Sequence, residues 1–383
     1  MKNKVEIIIC GDICPTDDTE RFFEKNDTKS LLGEVKTVLT NTDISIANLE
    51  FPLTDDCQKA MKTGPILYGK TKYISFFKAL GFTALGLANN HIKDCGENGV
   101  VSSLNICKEY EIETVGAGIN EREAKKPLII ERNGIKIGIF AFAEHEFNAA
   151  YENVAGANLF DVYSDYDQIE SFSKRVDYVI IMYHGGIEHY AYPSPLLQKR
   201  CRKMVDKGAN YVVCQHSHII GTEEQYNNGT ILYGQGNTIY GYRENDPTWN
   251  EGLIVKIELS KIDEKLKSTI GYIPIRATES GIILMNESEK NVVSKAMKKR
   301  QKQITEKDFI HQSWNMFCES KKTLYLPQLF GQGRIFNKLN RILNNLPIKT
   351  MFTKQQQMIT HNLVRCEAHN EVVQTILKNV KNK

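Results

Sequence analysis

The chain has 383 residues, 41% of them hydrophobic and 25% charged, with a formal net charge of +3. These proportions exclude a disordered or fibrous chain and leave length for a large core plus an added module. So small a net charge gives no global basic surface for nucleic acid, although the C-terminal part is locally rich in lysine.

In chain order, the first expected strand covers 4–10, where Val5-Glu6-Ile7-Ile8-Ile9-Cys10 is too short for the apolar region of a signal peptide and runs straight into Gly11-Asp12. No window approaches the roughly 20 apolar residues that a spanning helix needs, so a soluble chain is expected. Further β-branched runs predict strands at 44–48, 83–88, 114–116, 128–131, 135–142, 178–183, 211–215 and 230–233, with more β structure over 253–258 and 270–284. Between them, apolar residues at three- and four-residue spacing predict helices at 29–39, 74–80, 100–110, 169–175 and 196–207. Such alternation is the pattern of an α/β domain. Beyond about residue 285 the texture turns Lys-, Gln- and Asn-rich at helical spacing, so residues 1–285 are expected to form the α/β domain and 286–383 a Lys-rich helical module. Its stripe Lys298, Lys299, Arg300 and Lys302 reads as a solvated face or as a contact for a membrane surface or acidic polymer. The nine cysteines are odd in number and scattered, the pattern of reduced thiols, which places the chain in the cytoplasm, at most peripheral to a membrane.

Polar residues fall at the ends of these apolar runs. Asp12 follows the first; Asn48 and Glu50, on one side of an extended backbone, close the second; Asn89, Asn90 and His91 close the third. His184 ends the run 178–183, and His216 and His218 follow the run 211–215. In open α/β sheets the carboxyl ends of the strands share one edge, where ligand sites assemble, so these groups are expected to meet there. Taken singly, Asp12 also reads as a turn or capping aspartate and Glu50 as a solvated strand end. His216 and His218, two apart on an extended backbone, would serve two neighbouring cations. Asp94, three residues after His91, would orient that imidazole. Gly185 and Gly186 leave room beside His184 for a ligand, and Asn237 sits in a Gly-rich stretch that is either site wall or plain turn.

The ordered set Gly11-Asp12, Asn48-Leu49-Glu50, Ala88-Asn89-Asn90-His91 with Asp94 and Gly96, His184-Gly185-Gly186-Ile187-Glu188, His216-Ser217-His218 and Gly236-Asn237 resembles the CapA (bacterial capsule synthesis, PGA_cap) family over about residues 4 to 245. That family is similar in turn to calcineurin-like metallophosphoesterases. The resemblance implies an α/β fold of the four-layer α/β/β/α sandwich type, with the helical extension appended at the C-terminus. It implies two divalent cations, one on Asp12 and His218, the other on Asn90, His184 and His216, with Glu50 bridging. His91 would act beside the substrate oxygen as the catalytic imidazole, Asp94 behind it, and Glu188 as a catalytic or substrate-facing carboxylate. Asn48, Asn89, Gly185 and Asn237 would bound the substrate. Cys14 stands where metallophosphoesterases place a further histidine ligand, leaving the first cation completed by water or thiolate, or Cys14 as a packed free cysteine.

Carboxylate, amide oxygen and imidazole together suit Mn, Fe or Zn better than Ca. Two such ions polarise a substrate oxygen and acidify water, so hydrolysis of a phosphoester or related bond in capsule, poly-γ-glutamate or exopolymer synthesis is expected. The competing expectation is a non-catalytic protein that binds an anionic polymer and supports membrane-bound synthesis machinery. A dinucleotide enzyme is excluded, because no Gly-rich fingerprint follows the first strand.

Overall fold

The computed structural model describes residues 4–16, 18–262 and 265–379. The chain forms two compact units, one ending at Ile310 and the other spanning His311–Lys383. The strands of the first begin with β1 (Lys4–Ile13), β2 (Ile44–Leu49), β3 (Ala84–Gly86), β4 (Glu113–Val115) and β5 (Ala117–Gly118). Next come β6 (Leu128–Arg132), β7 (Ile135–Ala143), β8 (Gly156–Ala157), β9 (Tyr178–His184), β10 (Tyr211–Gln215) and β11 (Glu223–Tyr226). The last are β12 (Gly229–Leu232), β13 (Asn237–Ile239), β14 (Glu251–Ile262), β15 (Lys265–Thr278) and β16 (Gly281–Leu284).

Two large sheets result. One runs β16-β15-β14-β1-β2-β3-β4, with β13 added beside β1; the other runs β11-β12-β10-β9-β7-β6. Their central strands β1, β2, β9 and β10 are buried almost end to end, which is why they read as continuous apolar runs. Alternation then sorts the side chains of the second sheet. Ile139, Tyr178, Ile180, Met182, Tyr211 and Val213 share one apolar cluster with Ile7, Ile9 and Ile46 of the first sheet. The other set, Phe140, Phe142, Val179, Ile181, Tyr183 and Val212, packs on the helices Asp165–Ser173 and Pro195–Asp206 through Ile169, Phe172, Cys201 and Met204. Phe23, Leu31, Val35 and Phe77, from helices Glu20–Glu24, Thr28–Leu32, Val35–Thr40 and Ile74–Ala79, cover the first sheet. The layers are therefore helix, sheet, sheet, helix, the four-layer sandwich expected.

Local departures have local causes. The helix expected over 29–39 breaks at Gly33, whose φ of 47° no other residue adopts easily, into Thr28–Leu32 and Val35–Thr40. β1 continues past Cys10, and its register slips between Cys10 and Asp12. There a Cβ on Gly11 would collide with the Gly236 carbonyl, so the glycine lets the backbone at 235–237 lie against β1. The Gly-rich stretch before Asn237 accordingly leads into a strand, β13, that pairs Asn237 with Asp12. The helix Glu287–Ile304 starts on a capping box between Asn286 and Glu289 and sends Val293 and Met297 into the main core.

The cysteine reading needs correction. Cys57 and Cys95 form a disulfide, because the irregular stretch 54–70 folds over the segment after β3 and brings their Cα atoms to 4.7 Å. The other seven cysteines are free.

The second unit is helical. The helix Phe309–Leu329 runs into it across the boundary, followed by Arg334–Ile342, Leu346–Met351, Lys354–Arg365 and Glu367–Asn379.

Candidate metal centre

Strand register assembles the centre. Asp12 lies opposite Asn48 on β2 and Asn237 on β13, and His184 lies opposite Gln215 and Ala143. Glu50 sits one residue past β2, its amide donating to the Ile13 carbonyl at 3.1 Å. Asp12 Oδ1 accepts from Asn48 Nδ2 at 2.7 Å and Oδ2 from the His216 amide at 3.0 Å. Asn90 Oδ1 comes to 3.0 Å from His184 Nε2. Two triads of potential ligand atoms emerge, each within 4.8 Å: Glu50 with His184 and His216, and Asp12 with Glu50 and His218. Glu50 belongs to both.

The imidazoles do not reach these positions from an extended backbone. His216 and His218 have φ of 81° and 57°, the left-handed region that non-glycine residues seldom adopt. The turn aims the rings apart, with centroids 6.0 Å from one another, and His216 instead meets His184 edge to face at 4.9 Å. Such strain persists only where surroundings over-determine it. Here the His216 amide is fixed by Asp12, and His218 Nδ1 by Asn237 Oδ1 at 2.9 Å with the Trp249 ring 4.6 Å away.

Electrostatics test whether cations fit. Glu50 is fully buried, and neither carboxylate oxygen has a hydrogen-bond partner among the described residues; His216 Nδ1 is orphaned in the same way. An unpaired buried carboxylate is costly. Burial, then the charges of Asp12 and Glu188, push the Glu50 carboxyl well up. Burial raises Asp12 to about 6 against the bonds from Asn48 and His216. The imidazoles go the other way. Burial, with the neighbouring rings, holds His184 far below its usual range, His216 at about 3 and His218 at about 4. Neutral imidazoles offer lone pairs, and two orphaned carboxylate oxygens between them lack positive charge. Divalent cations fit that donor set.

His91 stands beside the centre, its Nδ1 2.6 Å from Asp94 Oδ2 and its amide bonded to Asn89 Oδ1 at 3.1 Å. The expected wall residues are spent on protein partners. Asn48 Nδ2 also lies 3.1 Å from His184 Nδ1, Asn89 Nδ2 donates to the Leu49 carbonyl at 2.8 Å, and Asn237 Nδ2 donates to the Trp249 carbonyl at 3.0 Å. The space left by Gly185 is filled by Glu144, whose Cδ would lie 2.6 Å from an added Cβ. Glu188 is exposed on the loop after β9, within electrostatic reach of Glu50 and His218. Cys14 is buried near Glu50 and Tyr240, and burial plus the adjacent carboxylates push its thiol well up, keeping it protonated without a cation.

Sequence reasoning missed Lys62. Its side chain is 3% exposed and pairs with Asp94, with Nζ 3.3 Å from His91 Nδ1 and 3.4 Å from the Asn90 carbonyl. Asp94 also ties the loop down, accepting from the Leu67 amide at 2.7 Å while its own carbonyl accepts from Ala60 at 2.8 Å. Nothing in the run Lys59-Ala60-Met61-Lys62-Thr63-Gly64 marks this role. Trp249 and Tyr240, which pack on His218, also lay outside every motif.

The capsule biosynthesis protein CapA of Bacillus anthracis is 27% identical over 247 residues, 62% of this chain and 60% of its own. The PGA biosynthesis protein CapA of Bacillus subtilis (strain 168) is 28% identical over 234 residues, 60% of this chain and 62% of its own. This chain thus spans about three fifths of the length of the curated relatives it matches. A crystal structure of a hypothetical protein from Thermus thermophilus aligns with 70% of this chain and 99% of its own at 12% identity, with a TM-score of 0.42, too low to carry an inference. Residues 6–242 match the family described as bacterial capsule synthesis protein PGA_cap, and with more than half its length so matched, the chain belongs to that family.

Proposed function

We propose that this protein is a two-metal hydrolase that acts on a phosphoester or related bond in the synthesis of a capsule or poly-γ-glutamate-type polymer. The single observation behind this reading is Glu50, a buried carboxylate with no hydrogen-bond partner among the described residues, common to two triads of potential ligands. Asp12 and His218 would hold one cation and Asn90, His184 and His216 the other, with Mn, Fe or Zn as the favoured metals. When bound, such a pair polarises the substrate and stabilises the entering and leaving oxygens. The chain's own residues supply the rest. Asn48 orients Asp12 and His184, and Asn237 orients His218. His91, whose Nδ1–H donates to Asp94, would act through Nε2, giving a proton to the leaving oxygen from its imidazolium form, and Glu188 faces incoming substrate from the exposed loop. Asn89 supports this wall through its bonds to the His91 amide and the Leu49 carbonyl, and Gly185 leaves the space that Glu144 fills.

One observation favours a second reading. Without a histidine at position 14, the second triad has, among the described residues, only Asp12, Glu50 and His218, and the neutral Cys14 thiol adds no charge. A centre so lightly ligated suits a weakly catalytic or non-catalytic protein that binds an anionic polymer and supports membrane-bound synthesis machinery, with the helical unit from His311 onward as its docking part. Purified protein assayed on generic phosphodiesters and phosphomonoesters with Mn, Zn and Mg separates the two. Turnover that disappears in His91→Ala supports the hydrolase, and silence with metal bound supports the binding role.

Among the described residues no helix is long and apolar enough to cross a membrane. The proposed cytoplasmic site of action has its own test. Cys57 and Cys95 would be reduced there, so both should be alkylated when cells are quenched and the protein is mapped; an intact bond assigns an oxidising compartment instead.

A further inference from the structure

The helix Arg334–Ile342 has two apolar sides with different fates. On the inner side, Asn340 is buried, its amide group donating to Asn345 Oδ1 at 2.7 Å and accepting from the Ile348 amide at 3.2 Å. Phe336 lies on the same side, 6.3 Å from the Phe352 ring, which itself stacks on Phe330 at 4.2 Å. The helix is thereby fixed to the following helix Leu346–Met351. On the outer side, Ile335, Leu339 and Ile342, spaced by four and three residues, form a stripe that the turn extends with Leu343 and Leu346. They lie open. Ile335 is 88% exposed, Ile342 68% and Leu346 59%. A contiguous stripe of this kind marks an interaction surface.

Charge selects the partner. From Ser320 to Cys366 the sequence has eight Lys or Arg residues and no Asp or Glu. Lys338 and Arg341, both exposed, flank the stripe. A second copy of the chain would bring like charge against like charge. A soluble acidic polymer would satisfy the cations and leave the aliphatic stripe in water. A bilayer with acidic headgroups satisfies both, taking the aliphatic side chains among its acyl chains and the cations at its phosphates. The helix, nine residues or about 14 Å long, would lie in the plane of the interface.

We propose that the outer face of Arg334–Ile342, continued through Leu343 and Leu346, docks the protein on an anionic lipid surface. This goes beyond the reading of the metal centre and does not depend on it.

The test is flotation of the full chain with phosphatidylcholine vesicles, with and without roughly a third phosphatidylglycerol. Binding is expected to the anionic vesicles only, and to weaken as salt rises. Replacing both flanking cations, Lys338→Gln with Arg341→Gln, should weaken it about fivefold per cation. Ile335→Asn with Ile342→Asn should abolish it, while Lys298→Gln with Lys302→Gln, on the helix Glu287–Ile304, should leave it unchanged. All six side chains are exposed, so the fold tolerates each change. Equal binding to neutral vesicles, binding unchanged by the 335/342 pair, or no binding would overturn the proposal. So would a stable dimer that the same pair dissociates, or binding to polyglutamate in place of vesicles.

Discussion

On one side of the centre, Asp12, Asn48 and His184 are held by strand register, opposite partners on neighbouring strands of buried sheets. On the other, Lys62 comes from the irregular stretch 54–70 and is held by tertiary contacts: its pairing with Asp94, the Leu67 and Ala60 amides, and the Cys57–Cys95 disulfide. The first side inherits its precision from the sandwich core, so its side chains can be changed without moving the backbone. The second side is a network in which each member positions the others. Substitutions on the strand side should therefore alter metal binding with little loss of fold, whereas those on the loop side should alter stability first.

The largest effect should follow loss of a ligand from the strand side. His184→Ala or His216→Ala should weaken Mn binding on the order of 100-fold or more, since loss of mere supporting bonds already brings 10- to 100-fold; calorimetric titration reads this. Unchanged affinity would break the comparison at its stronger side. Lys62→Met leaves Asp94 buried without its cation and should lower stability by about 3–5 kcal/mol in urea unfolding. Removing the disulfide as Cys57→Ser with Cys95→Ser frees a 38-residue separation and should lower stability by about 2–4 kcal/mol. Metal affinity should hardly move in either loop variant. Asn237→Ala, which leaves His218 unoriented, should weaken metal binding about 10- to 100-fold with little effect on unfolding.

The smallest effect is the dependence on pH. Asp12, raised to about 6, keeps a proton in the folded metal-free protein that an unfolded aspartate has lost, so its contribution to stability is full below about pH 4 and gone above 6. His216 and His218, lowered to about 3 and 4, act in the opposite sense, contributing above the ordinary histidine range and losing that as pH falls. With Asp12 as a ligand, as proposed, metal would need its anion, so affinity should rise about tenfold from pH 5 to 7, and the thermal shift on adding Mn should grow with it. A shift that shrinks with pH would contradict the Asp12 assignment.

What could be read in the sequence follows the same divide. Asp12, Glu50, Asn90, His184, His216 and His218 stood out because each ends a buried apolar run, and topology carries strand ends to one edge. Their roles beyond position were less legible. Asn48, Asn89 and Asn237 share the spacing of site residues, yet only coordinates reveal that their amides bond Asp12, the Leu49 carbonyl and His218. The left-handed turns at His216 and His218 break the alternation that an extended run implies. Lys62 and the Cys57–Cys95 pair were invisible, since a stretch without periodicity takes its shape from partners distant in sequence.

The most direct measurement is the metal stoichiometry of the Glu50→Gln protein beside the parent, by elemental analysis after loading with Mn and dialysis. The amide keeps the shape of the side chain but removes the charge common to both triads. Two equivalents in the parent and one or fewer in the variant is the expected result; two equivalents in both proteins would contradict a pair of cations gathered around Glu50.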